Sequence, residues 1–151
     1  MDQIIVSSQE LQAGMKRNEE GKTFIYLYSA AARTALTPYW LSTVSGTTTG
    51  IPTSEAITLG AKNRKGYVVI ATKTETAAGY QWFYLKGYVA NAIMDTGSYV
   101  ALDMIGLYDS ACTPSTSTTV TPDDFAVSLE TASTTTPNVY LLEREITVDG
   151  A

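Results

Sequence analysis

The chain has 151 residues, 44% hydrophobic and 17% charged, enough for one domain with a real core and too apolar to be disordered throughout. Ten basic residues against fifteen acidic ones give a net charge of -5, which argues against nucleic-acid binding, because that needs clustered Lys and Arg to displace counterions from phosphates. There is no histidine, which removes Ser-His-Asp and Cys-His catalysis and the commonest zinc ligand.

Residues 1–7 alternate weakly and fit a short strand. Asp2 stands where a secretion signal wants positive charge, and the apolar run Ile4-Ile5-Val6 is too short for one. Ser8 looks like an N-cap opening a helical turn, with Leu11 and Met15 on one face. Gly14 and the polar run Lys16 to Gly21 limit any helix there, so residues 1–21 read as a mobile arm or a short helix. Residues 22–151 read as a single β domain.

Thr23 to Tyr28 is a dense run of β-formers and predicts a strand. Ala30 to Ala35 is short and ends near Pro38, which favours a turn or irregular crossing over a helix. Tyr39 to Val44 predicts a second strand, and Ser45 to Gly50 a loop. Ala56 to Leu59 fits a short strand. Gly60 to Gly66, with Lys62-Asn63-Arg64-Lys65, reads as a solvated turn, as does the neighbourhood of Lys16-Arg17. Gly66 to Thr72 predicts a strand and Thr74 to Gly79 a connection.

Tyr80 to Val89 is the strongest strand signal, with apolar side chains on both parities. That pattern implies burial on both faces, or one face in the core and one against a partner. Asp95-Thr96-Gly97-Ser98 reads as a turn with Gly97 at a positive-φ position, leading into a strand from Tyr99 to Met104. Ser110 to Pro122, rich in Thr, Ser and Pro, reads as a long loop. Phe125 to Leu129 alternates, placing Phe125, Val127 and Leu129 inward and Ala126 and Ser128 outward. Asn138 to Val148 reads as one closing strand. The sum is all-β, a sandwich or small barrel of about eight short strands.

No candidate chemistry stands out. Asp95, Asp103 and Asp109 are the acids nearest the aromatic strand, and a glycosidase pair needs two carboxyls across a cleft; turns and loop ends explain all three. Asp123-Asp124 supplies too few oxygens for a hard cation. Cys112, the single cysteine, allows no intrachain disulfide, suits a reducing cytoplasm, and has no histidine to activate it. Ser45 to Gly50 lacks the lysine of a phosphate-binding loop. No stretch approaches the ~18–20 apolar residues that span a bilayer. The expectation is therefore no catalytic residue, no metal, no cofactor and no membrane.

The aromatic residues are a richer set: Tyr26, Tyr28, Tyr39, Trp40, Tyr80, Trp82, Phe83, Tyr84 and Tyr88. Such residues fill a core, anchor a protein interface or stack on sugar rings, and strand alternation sends about half of them each way.

Three segments carry a resemblance. They are Lys22 to Ala31 followed by Thr37-Pro38-Tyr39, the aromatic run Gly79 to Tyr88 with its Lys86-Gly87 step, and Phe125 to Ser133 followed by Val139 to Leu142. In this order they resemble the capsid cement, or decoration, proteins of tailed bacteriophages. The resemblance implies a virion structural protein, made in the host cytoplasm, on the outer capsid surface. There it would bind and bridge major capsid proteins, alone or as a homo-oligomer such as a trimer around a symmetry axis. The residues expected at the interface are Gln3, Ile4, Ile5, Leu11 and Met15 of the arm, Trp82 and Tyr84 of the aromatic strand, and Thr116 and Thr118 of the 113–121 loop. The alternative is a carbohydrate-binding or adhesive module of a phage tail or fibre, which the aromatic strand and the Thr/Ser loops suggest.

Overall fold

A two-residue hairpin leads the chain into its sheet. β1 (Lys16–Glu19) and β2 (Lys22–Ser29) pair antiparallel, and the connecting Glu20 and Gly21 have φ of 52° and 77°. Two successive positive φ values give the turn the twist of the strands it joins. Residues 16–19, assigned to an arm or helix from their polarity, are thus an edge strand. Polar residues suit an edge as well as they suit a helix end. The computed structural model describes residues 14–29, 32–42, 64–108, 111–114, 122 and 124–148.

Arg33 forms a bridge to Glu75, with N–H to carbonyl bonds of 2.8 and 2.9 Å in the two directions, so the 32–37 segment is the irregular crossing its composition suggests. The Arg33 guanidinium is buried and donates to the Gln81 side chain and to the Ser29 carbonyl. β3 (Pro38–Ser42) then pairs with β4 (Arg64–Ala71), which pairs in turn with β5 (Gly79–Val89). The proposed loop at 45–50 and strand at 56–59 lie outside the described residues.

β5 connects the two parts of the sheet. Residues 79–86 pair with β2, and Phe83 and Tyr84 also pair with β4. The register slips between Thr23 and Phe24, which leaves one extra β5 residue and bends the strand. Gly87 follows with φ of 111°, and residues 87–89 pair with a different neighbour, β11 (Val139–Leu141).

Between them, β6 (Gly97–Tyr99) pairs only with β10 (Ala132–Thr134), and β7 (Met104–Tyr108) pairs with β8 (Ala111–Pro114) and β9 (Asp124–Ser128). The last strand, β12 (Ile146–Val148), returns to β4. Among the described residues ten strands form one antiparallel sheet, ordered β1-β2-β5-β11-β9-β7-β8 with β4, β3 and β12 joined beside β5.

The sheet folds over itself. One core cluster joins Trp40, Val68 and Ile70 of β3 and β4 to Ile105, Leu107, Phe125 and Leu141 of β7, β9 and β11, strands that are not neighbours in the hydrogen-bonded order. Its opposite side is a second cluster of Ile25, Leu27, Leu41, Val69, Phe83 and Leu85. β4 feeds both, alternate residues to each, and so reads as a continuous apolar run. The molecule is all-β, a sandwich-like double layer, with no helix among the described residues.

Four expectations change. Tyr99 to Met104 is not one strand: a turn closed by the Asp103 N–H on the Val100 carbonyl (3.0 Å) divides β6 from β7, with Leu102 at φ 73°. Gly97 opens β6 and is not among the positive-φ glycines, which are Gly14, Gly21 and Gly87. Ala111–Pro114 is strand, not loop, because β7 supplies its partner. Asn138 to Val148 breaks at 142–145, where the chain leaves one layer for the other; the Leu142 N–H bonds the Phe125 carbonyl, and Arg144 donates to the Asp124 carbonyl.

β9 also reverses its expected facing. Register slips between Ile105 and Gly106, so Phe125 is the extra residue of a bulge. After a bulge the alternation changes phase. Phe125, Ala126 and Ser128 are buried, Val127 is half-buried beside Tyr140, and Leu129 is exposed.

A half-covered aromatic sheet face

The folded-over layer covers the β3–β4 half of one sheet face; on the β1–β2–β5 half Tyr26 is buried, Phe24, Tyr28, Trp82 and Tyr84 are half-buried, and Tyr80 is exposed. On β5 the odd residues Gln81, Phe83 and Leu85 are buried, whereas Tyr80, Trp82 and Tyr84 project to the other side; past the bulge the phase changes, and Val89 joins the main core while Tyr88 faces away from it. The β2 register places Phe24 opposite Tyr84, Tyr26 opposite Trp82, and Tyr28 opposite Tyr80. Parity alone therefore gathers six rings on one face.

The rings interlock. Tyr26 stacks on Tyr80 with centroids 5.5 Å apart and planes 11° from parallel, and lies 5.2 Å from Trp82. Tyr28 meets Tyr80 edge-on at 5.1 Å, and Phe24 tilts against Tyr84 at 5.1 Å. Offset and edge contacts of this kind are the favoured arrangements of aromatic quadrupoles. Tyr84 also packs on the main core, so the ladder runs from the interior to solvent. Tyr80, near the start of β5, is 49% exposed, and Tyr88, near its end, 43%.

Two cations lie over the rings. The Arg17 guanidinium carbon is 5.2 Å from the Phe24 centroid and 4.6 Å from that of Trp82. Lys22 Nζ is 5.7 Å from Tyr84 and 5.9 Å from Tyr88. Both positions follow from the hairpin, since Arg17 is opposite Phe24 in register and Lys22 closes the turn. Glu19 accepts from Arg17 at 3.3 Å. Burial, reinforced by the neighbouring Tyr80, raises the Tyr26 phenol above its ordinary pKa, with Lys73 pulling the other way.

Of the residues expected at an interface, Trp82 and Tyr84 belong to this face, both half-buried. Met15 is exposed beside it, and its carbonyl accepts the Tyr26 N–H at 2.9 Å. Gln3, Ile4, Ile5 and Leu11 of the arm, and Thr116 and Thr118 of the loop, lie outside the described residues. Sequence reading missed Phe24, Arg17 and Lys22 as members. Shared parity of residues 24, 26 and 28 with 80, 82 and 84 becomes informative only once β2 is known to pair with β5.

The acids take backbone roles. The Asp95 carbonyl accepts the Tyr99 hydroxyl at 2.6 Å, and Asp103 closes its turn and accepts the Ser128 N–H at 2.9 Å. Asp124 is buried where β9 begins. Asp109 and Asp123 lie outside the described residues. Among the described residues no group of three Cys, Asp or Glu is placed to hold a metal ion, and no helix is long and apolar enough to cross a membrane.

The fold and this face define an all-β protein with a half-buried, cation-capped aromatic cluster. No family model, curated protein or solved structure matches the chain.

Proposed function

We propose that the chain is a non-enzymatic virion structural protein, a capsid cement subunit that binds and bridges major capsid proteins on the outer shell of a tailed bacteriophage. The observation that carries the binding role is the half-covered aromatic face. Tyrosine and tryptophan beside arginine are the residue types that anchor protein interfaces, because they offer large rigid area and polar tips at little entropic cost. The rings of this cluster that stay half-buried or exposed in one copy are available to a partner that covers them. The capsid assignment itself rests on the resemblance of three segments to cement proteins. Its test is direct: virions stripped of this chain should lose resistance to heat, and re-adding wild-type protein should restore it. Re-adding a Tyr80→Ser, Tyr88→Ser double variant should not. Equal heat resistance with and without the chain would end the proposal.

The second reading is a carbohydrate-binding or adhesive module of a phage tail or fibre. The half-exposed rings of Tyr80 and Tyr88 favour it, since open aromatic faces stack on sugar rings. Binding on a glycan array that the same double variant abolishes would select this reading over the first.

A further inference from the structure

The described chain enters the sheet beside the Tyr28–Tyr80 corner. Gly14 and Met15 both stand opposite Tyr26: the Gly14 N–H donates to the Tyr26 carbonyl at 2.7 Å, and the Tyr26 N–H donates to the Met15 carbonyl at 2.9 Å. Gly14 has φ of 90°. Two residues against one, the first a glycine at positive φ, make a β-bulge, which bends a strand within its ladder.

Tyr26 thus turns its peptide groups to the β1 edge. Alternate residues of an antiparallel strand face the same way, so Tyr28 turns its N–H and carbonyl there as well. Among the described residues none continues β1 past Gly14 to meet them. The Tyr28 ring is half-buried and meets Tyr80 edge-on at 5.1 Å, and Tyr80 is 49% exposed. A strand edge open to pairing therefore lies beside two incompletely covered rings.

Residues 1–13 are tethered at this corner through Gly14. Past a bulge the pairing runs on one residue out of step, which sets Gln12 against Tyr28. The apolar run of the segment is Ile4-Ile5-Val6. Eight residues take the chain from Gly14 to Val6, a reach of about 26 Å when extended, whereas β5 is two strand spacings from β1, about 10 Å. The run can reach both rings with chain to spare.

We propose that residues 1–13 strap this corner of their own chain. Gln12 exchanges peptide hydrogen bonds with Tyr28 across the β2 edge, and Ile4-Ile5-Val6 lies over the Tyr28 and Tyr80 rings. The strap occupies the place that a partner of Tyr80 takes, so it competes with docking. That competition rests on the reading of the aromatic cluster as a capsid-binding surface.

The test begins with nuclear magnetic resonance on the full chain without capsid. In wild type the Tyr28 amide should exchange at least tenfold more slowly than an unpaired amide. Gln12→Pro, which removes a donor and bars strand pairing, should abolish that protection and leave the Leu27 amide, which faces β5, unchanged. Methyl groups of residues 4–6 should show Overhauser contacts to the Tyr80 ring within one chain, and Ile5→Asp should remove them whether or not Gln12→Pro folds. An unprotected Tyr28 amide in wild type, protection that survives Gln12→Pro, or ring contacts seen only between differently labelled chains would each overturn the strap. Ile5→Asp should also bind stripped virions several-fold tighter than wild type; equal or weaker binding would overturn the competition. If no form binds virions, the capsid reading fails and the resonance result still decides the strap.

Discussion

Arg17 on β1 reaches across β2 to lie 4.6 Å above the Trp82 ring on β5. The contact joins the edge of the sheet to its longest strand without a hydrogen bond between them. An exposed cation–π contact contributes about 0.5–1 kcal/mol. Arg17→Ala should therefore lower unfolding free energy in urea by no more than that. It should also red-shift Trp82 fluorescence, because water replaces the guanidinium. A Trp82→Phe background, which leaves only the buried Trp40, should show no shift.

Gly66 is fixed by crowding. A Cβ there would stand 2.2 Å from the Leu41 carbonyl oxygen and 2.9 Å from Trp40 Cζ2, where β3 and β12 both pair with β4. Backbone on one side leaves no room to give, so Gly66→Ala should cost ~3 kcal/mol or more. Gly79, at the start of β5, has nothing within 4 Å of such a Cβ. Gly79→Ala should be neutral or stabilise by up to ~1 kcal/mol. Chemical denaturation of the pair measures the contrast directly.

The two sides of β5 should separate stability from binding. Phe83 is fully buried, and Phe83→Ala should cost ~3–5 kcal/mol. Tyr80→Ser, on the other side, should shift the melting temperature by a few degrees at most and, on the proposed function, weaken capsid binding several-fold.

Leu102→Gly should release the left-handed backbone and leave stability unchanged or raise it by ~1 kcal/mol. Thermal melting of the variant beside wild type measures it.

Tyr26 gives a pH dependence with a definite sign. Its phenol pKa is raised in the fold, first by burial and then by Tyr80. The neutral form is thus favoured in the folded state. Its contribution is complete below the unfolded value of about 10 and is lost as pH rises through the higher folded value. Tyr26→Phe should keep its denaturation midpoint to higher pH than wild type does in alkaline titration.

What was legible in the sequence follows from which forces are local. Thr23 to Tyr28, Gly66 to Thr72 and Tyr80 to Val89 are dense in β-branched and aromatic residues, and each is a strand within a few residues of its expected span. Where a bulge or partner intervened, reading failed. Phe125 looks like the start of a regular alternation, and only its pairing with β7 shows the extra residue that reverses it. Lys16 to Glu19 has no apolar period at all, and becomes strand because β2 offers it a ladder. The aromatic face was half-legible: Trp82 and Tyr84 stand out by type, whereas Phe24, Arg17 and Lys22 join them through a pairing some sixty residues long in sequence.

β1 bears on how such a molecule stays soluble. It ends the order of the ten-stranded sheet, and its four residues, Lys16, Arg17, Asn18 and Glu19, are all exposed. An open strand edge invites endless backbone pairing with other chains, the first step toward amyloid-like aggregation. Charged side chains raise the desolvation cost of that step. The hairpin thus acts as a gatekeeper, discouraging edge-to-edge fusion at the high protein concentrations of a producing cell.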